Sequence, residues 1–109
     1  MNYICLTDIF PMRDDKWSIT KEYKCLSRIM DHIRKDTGKV FTYYISYTKN
    51  NKNYVDESVV KLCIDYCNKI IEYKTNERDF YGKALYQEDF IRVRDKLQDT
   101  LKRMRNETI

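Results

Sequence analysis

Apolar side chains recur along this chain in two rhythms, one helical and one extended. Ile19, Tyr23, Leu26, Met30 and Ile33 follow one another at spacings of three and four, and Cys25 and Ile29 widen the stripe. That period predicts an amphipathic helix, opened by Ser18 or Thr20 as N-cap and stopped at Gly38. A second helical stretch carries Val59, Cys63, Cys67, Ile70 and Ile71 on one face, with Leu62 and Ile64 at its margins, and runs to about Lys74. Asp56 is its expected N-cap, and Val55 and Val60 occupy the two positions of a hydrophobic staple. A third helix is expected over residues 87–105, where Phe90, Val93, Leu97, Leu101 and Met104 form a near-heptad stripe. Glu88 and Asp89 at its start and Lys102, Arg103 and Arg105 at its end suit the helix dipole, and Glu88 with Arg92 and Asp99 with Arg103 are favourable i,i+4 pairs.

The extended rhythm appears over residues 39–48, where Phe41, Tyr43, Ile45 and Tyr47 alternate with Val40, Thr42, Tyr44, Ser46 and Thr48. This predicts a long strand with one apolar face. Residues 3–10, rich in β-branched and aromatic side chains and closed by Pro11, read as a second strand, and residues 12–17 as a polar loop. The Asn-rich run at 49–53 reads as a turn. Residues 75–86 predict a short strand or hairpin. No internal repeat or low-complexity linker stands out. The expected fold is therefore a small α+β domain spanning 1–109, in the order β-α-β-α-(short β)-α, with a two- or three-stranded sheet packed against amphipathic helices. Two strands alone make a marginal sheet. Either the Phe80 region adds a third strand or a second copy of the chain does, in a homodimer.

Composition narrows the function classes. The chain has ten tyrosines and thirteen lysines, but one histidine, one alanine, one proline and two glycines. Abundant Phe, Tyr, Met, Ile, Asn and Lys beside scarce Gly, Ala, Arg and Pro is the mark of an AT-rich coding sequence, as in many phages, mobile elements and low-GC bacteria. No apolar run approaches the roughly 18 residues of a spanning helix. The first residues lack the basic and apolar regions of a secretory leader. A cytoplasmic protein is expected, with no membrane partner and with reduced cysteines. The net charge of +4 is spread thinly, since nearly every basic group has an acidic neighbour. A polyanion-binding footprint is normally a stripe of one sign.

Candidate chemistry is sparse. Cys63 and Cys67, i and i+4 on a helix, could turn two thiolates to a zinc ion, with Cys5, Cys25 and His32 as the only sources of further ligands. Their place on the apolar stripe makes them core residues first, and no metal or other cofactor is expected. His32 lacks a nucleophile and an orienting group, and reads as a solvated surface histidine. Glu22-Tyr23-Lys24 and Glu72-Tyr73-Lys74 resemble the acidic and basic elements of metal-dependent nucleases. Within helices such residues point apart, and they read as exposed helix positions. Two isolated glycines cannot build a phosphate-binding loop. No enzyme is expected.

What remains is surface for other macromolecules. Tyrosine anchors interfaces because it brings a large amphipathic area at low entropic cost. Ten tyrosines exceed what this core can bury, so Tyr44, Tyr54, Tyr66, Tyr73, Tyr81 and Tyr86 are the interface candidates. The expected function is a non-enzymatic protein-binding domain, a small phage or mobile-element protein that binds and inhibits a host protein. The alternative is a nucleic-acid-binding regulator using Arg92, Arg94, Lys96, Lys102, Arg103 and Arg105 of the last helix. Asp95 and Asp99 on that same helix weigh against it.

Overall fold

The computed structural model describes residues 3–41 and 54–107. In chain order the elements are β1 (Tyr3–Cys5), α1 (Leu6–Ile9), α2 (Lys21–Thr37), β2 (Tyr54–Asp56), α3 (Glu57–Tyr73), β3 (Glu77–Arg78), β4 (Ala84–Leu85) and α4 (Gln87–Glu107). The fold is α+β. Among the described residues, the buried apolar side chains other than Cys5 form one cluster, built mainly where α2, α3 and α4 meet.

The three long helices begin and end where side-chain chemistry says they should. Thr20 Oγ1 accepts from the Tyr23 N–H at 3.2 Å and its hydroxyl donates to the Pro11 carbonyl at 2.8 Å, which fixes the entry to α2. Gly38, left-handed at φ 76°, closes it. Asp56 caps α3 through the Val59 N–H, and Val55 and Val60 are both buried beside it, as a hydrophobic staple requires. At the start of α4 the Asp89 carboxylate reaches back to the Tyr86 N–H at 3.0 Å, one half of a capping box. Cys67 donates to the Phe90 carbonyl and Arg105 pairs with Glu57, so α3 and α4 run antiparallel.

The sheets depart from expectation in two ways. The first strand stops at Cys5, and residues 6–9 make one helical turn in which the Phe10 N–H donates to the Leu6 carbonyl at 2.8 Å. In a continuous strand Leu6, Asp8 and Phe10 would share a face, so burying the apolar pair would bury the carboxylate. The turn puts Leu6 and Phe10 together, each fully buried, and leaves Asp8 at the surface. Burying Phe10 in this way contributes on the order of 2 kcal/mol.

Second, the partner of β1 is β2, antiparallel with Ile4 opposite Val55, so pairing uses residues immediately before the α3 cap. Lys39, Val40 and Phe41 carry no strand. The rest of the long strand expected over 39–48, and the turn at 49–53, lie outside the described residues. The hairpin expected in 75–86 forms as β3 and β4, which pair with each other in a separate two-stranded sheet and do not extend the first one.

Candidate functional site

The β3–β4 hairpin has only two residues in each strand, too little to hold itself together. It is tied down by α2. Lys24, Arg28 and His32 stand at i, i+4 and i+8, so they line one edge of that helix. Glu77 and Asp79, two apart on an extended segment, turn to the same side. Arg28 Nε donates to Glu77 Oε1 at 3.2 Å, His32 Nε2 donates to the same oxygen at 2.8 Å, and Lys24 Nζ lies 3.0 Å from Asp79 Oδ2. Arg28 also pairs with Asp31 at 3.0 Å. His32 is therefore not the solvated histidine expected, and Glu22 and Lys24 are not free helix positions either: Glu22 pairs with Lys96 of α4 at 2.7 Å.

Both hairpin carboxylates are buried. Burial pushes the Glu77 carboxyl up, but the His32 hydrogen bond and the charges of His32 and Arg28 outweigh it and hold the group below the usual carboxylate range. Asp79 shows the same balance. Burial raises it, while hydrogen bonds from the Lys83 N–H, Lys24 and the Tyr81 N–H bring it below its ordinary value.

Asp79 also organises the loop between the strands. Its Oδ1 accepts from the N–H groups of Tyr81 and Lys83, both at 2.9 Å. Its own N–H donates to the Lys83 carbonyl at 2.9 Å and its carbonyl accepts from the Gly82 N–H at 3.0 Å. Arg78 Nη1 donates to the Gly82 carbonyl at 2.8 Å, and Gly82 is left-handed at φ 79°. The loop so fixed presents Phe80 and Tyr81 to solvent as an edge-to-face pair with centroids 5.2 Å apart. Lys24 Nζ sits 5.9 Å from the Tyr81 ring centroid, and Tyr86 is exposed just beyond β4.

The same loop occurs a second time. Asp14 Oδ1 accepts from the N–H groups of Lys16 at 2.9 Å and Ser18 at 3.0 Å. The Asp14 N–H donates to the Ser18 carbonyl at 2.9 Å, and its carbonyl accepts from the Trp17 N–H at 3.0 Å. Arg13 Nη1 donates to the Trp17 carbonyl at 2.6 Å. Arg13 bridges Ile19 as Arg78 pairs with Ala84. Every bond has its counterpart at the same offset from the Arg-Asp pair. The left-handed position, glycine in one loop, is Trp17 in the other, at φ 61° and 72% exposed. A bulky residue with positive φ is strained, and at the surface no packing offsets the strain. The loop at 13–19 runs straight into the Thr20 cap, and Lys24, one turn further on, clamps the other loop, so both flank the beginning of α2.

Of the tyrosines singled out from the sequence, Tyr54, Tyr73, Tyr81 and Tyr86 are exposed. Tyr44 lies outside the described residues. Tyr66 is a correction: it is buried, because it falls between Cys63 and Ile70 at i+3 and i−4 on the core face of α3, with Lys69 Nζ 4.4 Å from its ring centroid. Among the described candidates, only Tyr81 and Tyr86 fall in one place, the hairpin. Tyr54 lies instead with Tyr3 on the face of the β1–β2 sheet opposite Ile4 and Val55, and Tyr73 stands at the end of α3. Sequence reasoning missed Trp17, Phe80 and Tyr3. The signal for the first two was the Arg-Asp pair preceding each loop.

The cations of α4 are largely neutralised in place. Arg92 pairs with Asp89, an i,i+3 contact in place of the Glu88 pairing expected, and Arg94 with Asp95 at 3.2 Å. Lys96 meets Glu22, Arg103 meets Asp99 at 2.9 Å as expected, and Arg105 meets Glu57 at 2.6 Å. Of the six candidates only Lys102 has no ion pair among the described residues.

All four cysteines are buried free thiols. Burial pushes Cys63 and Cys67 up to about 12, and raises Cys25 as well, so at neutral pH these are protonated, poor nucleophiles and poor metal ligands. Among the described residues no three His, Cys, Asp or Glu side chains converge as a metal site would require, and no helix is long and apolar enough to cross a membrane. Comparison with protein families, with curated proteins and with solved structures finds no match.

Proposed function

We propose that this chain is a non-enzymatic protein-binding domain whose contact residues are carried on the two Arg-Asp loops, with Trp17, Phe80 and Tyr81 as anchors. The observation that carries this reading is Trp17, an exposed indole held in a left-handed backbone by its loop. Such a residue lowers the stability of the free protein, and strained positions of this kind concentrate where a molecule makes contact with another. Aromatic anchors in a loop already fixed by hydrogen bonds also lose little entropy on docking, which is what makes interface hot spots effective. The coding bias supports a cytoplasmic phage or mobile-element product acting as an inhibitor of a host protein. Pairing of two copies through the β1–β2 sheet, where Tyr3 and Tyr54 are both exposed, is the form a homodimer would take, and light scattering over a range of concentrations tests it.

The test of the main reading is affinity capture from candidate host lysates with the wild-type chain and with a Trp17→Ala, Tyr81→Ala double variant. One protein should co-purify in stoichiometric amount with the wild type and fall by at least about tenfold with the variant. Equal recovery by both, or recovery of nucleic acid alone, would reject it.

A further inference from the structure

We infer that the tip of the β3–β4 hairpin receives an acidic segment of the partner protein, a step that rests on the protein-binding reading above and names the chemistry of the ligand. From Tyr73 to Tyr86 the chain carries two carboxylates, Glu77 and Asp79, and three cations, Lys74, Arg78 and Lys83. The charges are sorted by depth. Both carboxylates are turned inward onto Lys24, Arg28 and His32, with side chains only 3% and 1% exposed. Lys74, Arg78 and Lys83 are all exposed, and none of them forms an ion pair among the described residues. Arg78 gives one N–H to the Gly82 carbonyl. Its other donors stay available for the bidentate contact that guanidinium makes with a carboxylate.

Between Tyr73 and Tyr86 the outward side chains are thus aromatic and cationic, and the nearest exposed acids along the chain, Glu72 and Glu88, lie on α3 and α4 rather than in the hairpin. Phe80, Tyr81 and Tyr86 supply apolar area, Arg78 and Lys83 belong to the same hairpin, and Lys74 precedes it as the C-cap of α3. The loop at 13–19 lacks this sorting, since Asp14 and Asp15 are exposed beside Arg13 and Lys16. A single-stranded nucleic acid is also anionic, but it stacks successive bases on open parallel ring faces. Here the two rings meet at 62°, so one ring's edge occupies the other's face. An acidic peptide with interspersed apolar side chains fits that surface better, its carboxylates on the cations and its apolar groups against the rings.

The experiment is an NMR titration of the full chain with three probes: a short peptide of alternating Glu and Leu, its Gln-for-Glu counterpart, and oligothymidylate. The acidic peptide should shift the amides of residues 78–86 selectively, with an affinity that weakens at least about fivefold between low and physiological salt. A Lys74→Glu, Lys83→Glu variant should weaken it by at least about tenfold, whereas Lys102→Glu on α4 should leave it unchanged. Equal binding of the Gln peptide would overturn the charge argument and leave the protein-binding reading standing. Oligothymidylate binding with no peptide bound would overturn both. Shifts of the same amides on concentrating the protein alone would name a second copy as the occupant. No shift with the acidic peptide would also overturn the inference, and capture with the double variant at positions 17 and 81 would then decide the protein-binding reading separately.

Discussion

Asp14 and Asp79 close the same loop, yet one is exposed and the other buried. In each the aspartate accepts two backbone N–H groups at i+2 and i+4, and the preceding arginine caps the carbonyl at i+3. Those bonds are local, and they form wherever the chain is free to turn. What differs is the second carboxylate oxygen. That of Asp79 meets Lys24 across the molecule, with Glu77 meeting Arg28 and His32 beside it, whereas no ion pair reaches Asp14 among the described residues. The comparison separates two layers of structure: a turn written by neighbouring residues, and an anchorage written by a helix edge some fifty positions away.

Removing one partner of the anchorage strands buried or half-buried charges, whereas the turn's bonds can be replaced by water, so loss of the anchorage should have the larger effect. Glu77→Ala leaves a guanidinium and an imidazole without their carboxylate. Losing one partner of a fully buried pair costs several kcal/mol, but Arg28 and His32 remain 29% and 30% exposed and water replaces part of the loss, so about 2 kcal/mol is expected by urea denaturation. The loop at 13–19 should keep its amide protection in that variant. Equal loosening of both loops would show that they share one anchor. The pH dependence follows from the same contacts. Glu77 and Asp79 have folded-state pKa values below their unfolded ones, so their stabilisation is complete above about pH 4 to 5 and is lost as pH falls through the folded values. Glu77→Ala should flatten this acid limb. Part of it remains from Asp79, whose Lys24, Tyr81 and Lys83 partners the substitution leaves in place, from Asp31, held down by the Arg34 hydrogen bond, and from Asp56, held down by the Ser58 hydroxyl. Parallel acid limbs in wild type and variant would remove Glu77 from the account.

Replacing the two aspartates tests the turn itself. Asp79→Ala frees the Tyr81 and Lys83 amides and also strips Lys24 of its partner, so hydrogen exchange at those amides should quicken by at least about tenfold. Asp14→Ala frees the equivalent Lys16 and Ser18 amides at the surface, where water takes over, at a cost of about 1 kcal/mol. Similar losses in the two variants would mean that burial of Asp79 adds nothing.

Much of the architecture could be read from residues close together in the chain. The caps Thr20, Gly38 and Asp56, the Val55–Val60 staple and the three helical stripes all act over a few residues, so their logic is visible in sequence. The turn at 6–9 was legible in principle from Asp8, the residue a strand would have had to bury. Tyr66 was equally legible, since it stands i+3 from Cys63 and i−4 from Ile70, on the stripe that α3 buries. The candidate site was less accessible. The contacts of Lys24, Arg28 and His32 with Glu77 and Asp79 join residues 45 to 55 positions apart, and no local period announces them. Nor does the Arg-Asp pair suffice as a signature. It occurs a third time as Arg94-Asp95, where Val93 and Leu97 hold it within α4. The loop forms only where the flanking apolar pattern does not demand a helix. One of its two left-handed positions is moreover filled by tryptophan, the kind of residue least expected there.

That position gives the smallest expected effect and the sharpest test of whether the loops are equivalent. A non-glycine residue in left-handed backbone costs about 1 to 2 kcal/mol, part of which glycine returns through its greater freedom when unfolded. Trp17→Gly should therefore stabilise the free chain by roughly 0.5 to 1 kcal/mol, an unusual sign for removal of the largest side chain in the protein. Because Trp17 is 72% exposed, little burial is lost to mask the gain. Gly82→Ala should do the reverse by a similar amount. A Cβ built at Gly82 meets nothing within 4 Å, so the penalty there is conformational and no clash adds to it. Denaturation of the two variants side by side then yields opposite signs if both loops hold the same backbone. Partner binding supplies the second reading of the same variant, since Trp17→Gly should gain stability while losing capture of the partner. A variant that became less stable would show that the indole packs on something in the free protein. One that gained stability and kept full binding would leave the strain at Trp17 without the function assigned to it.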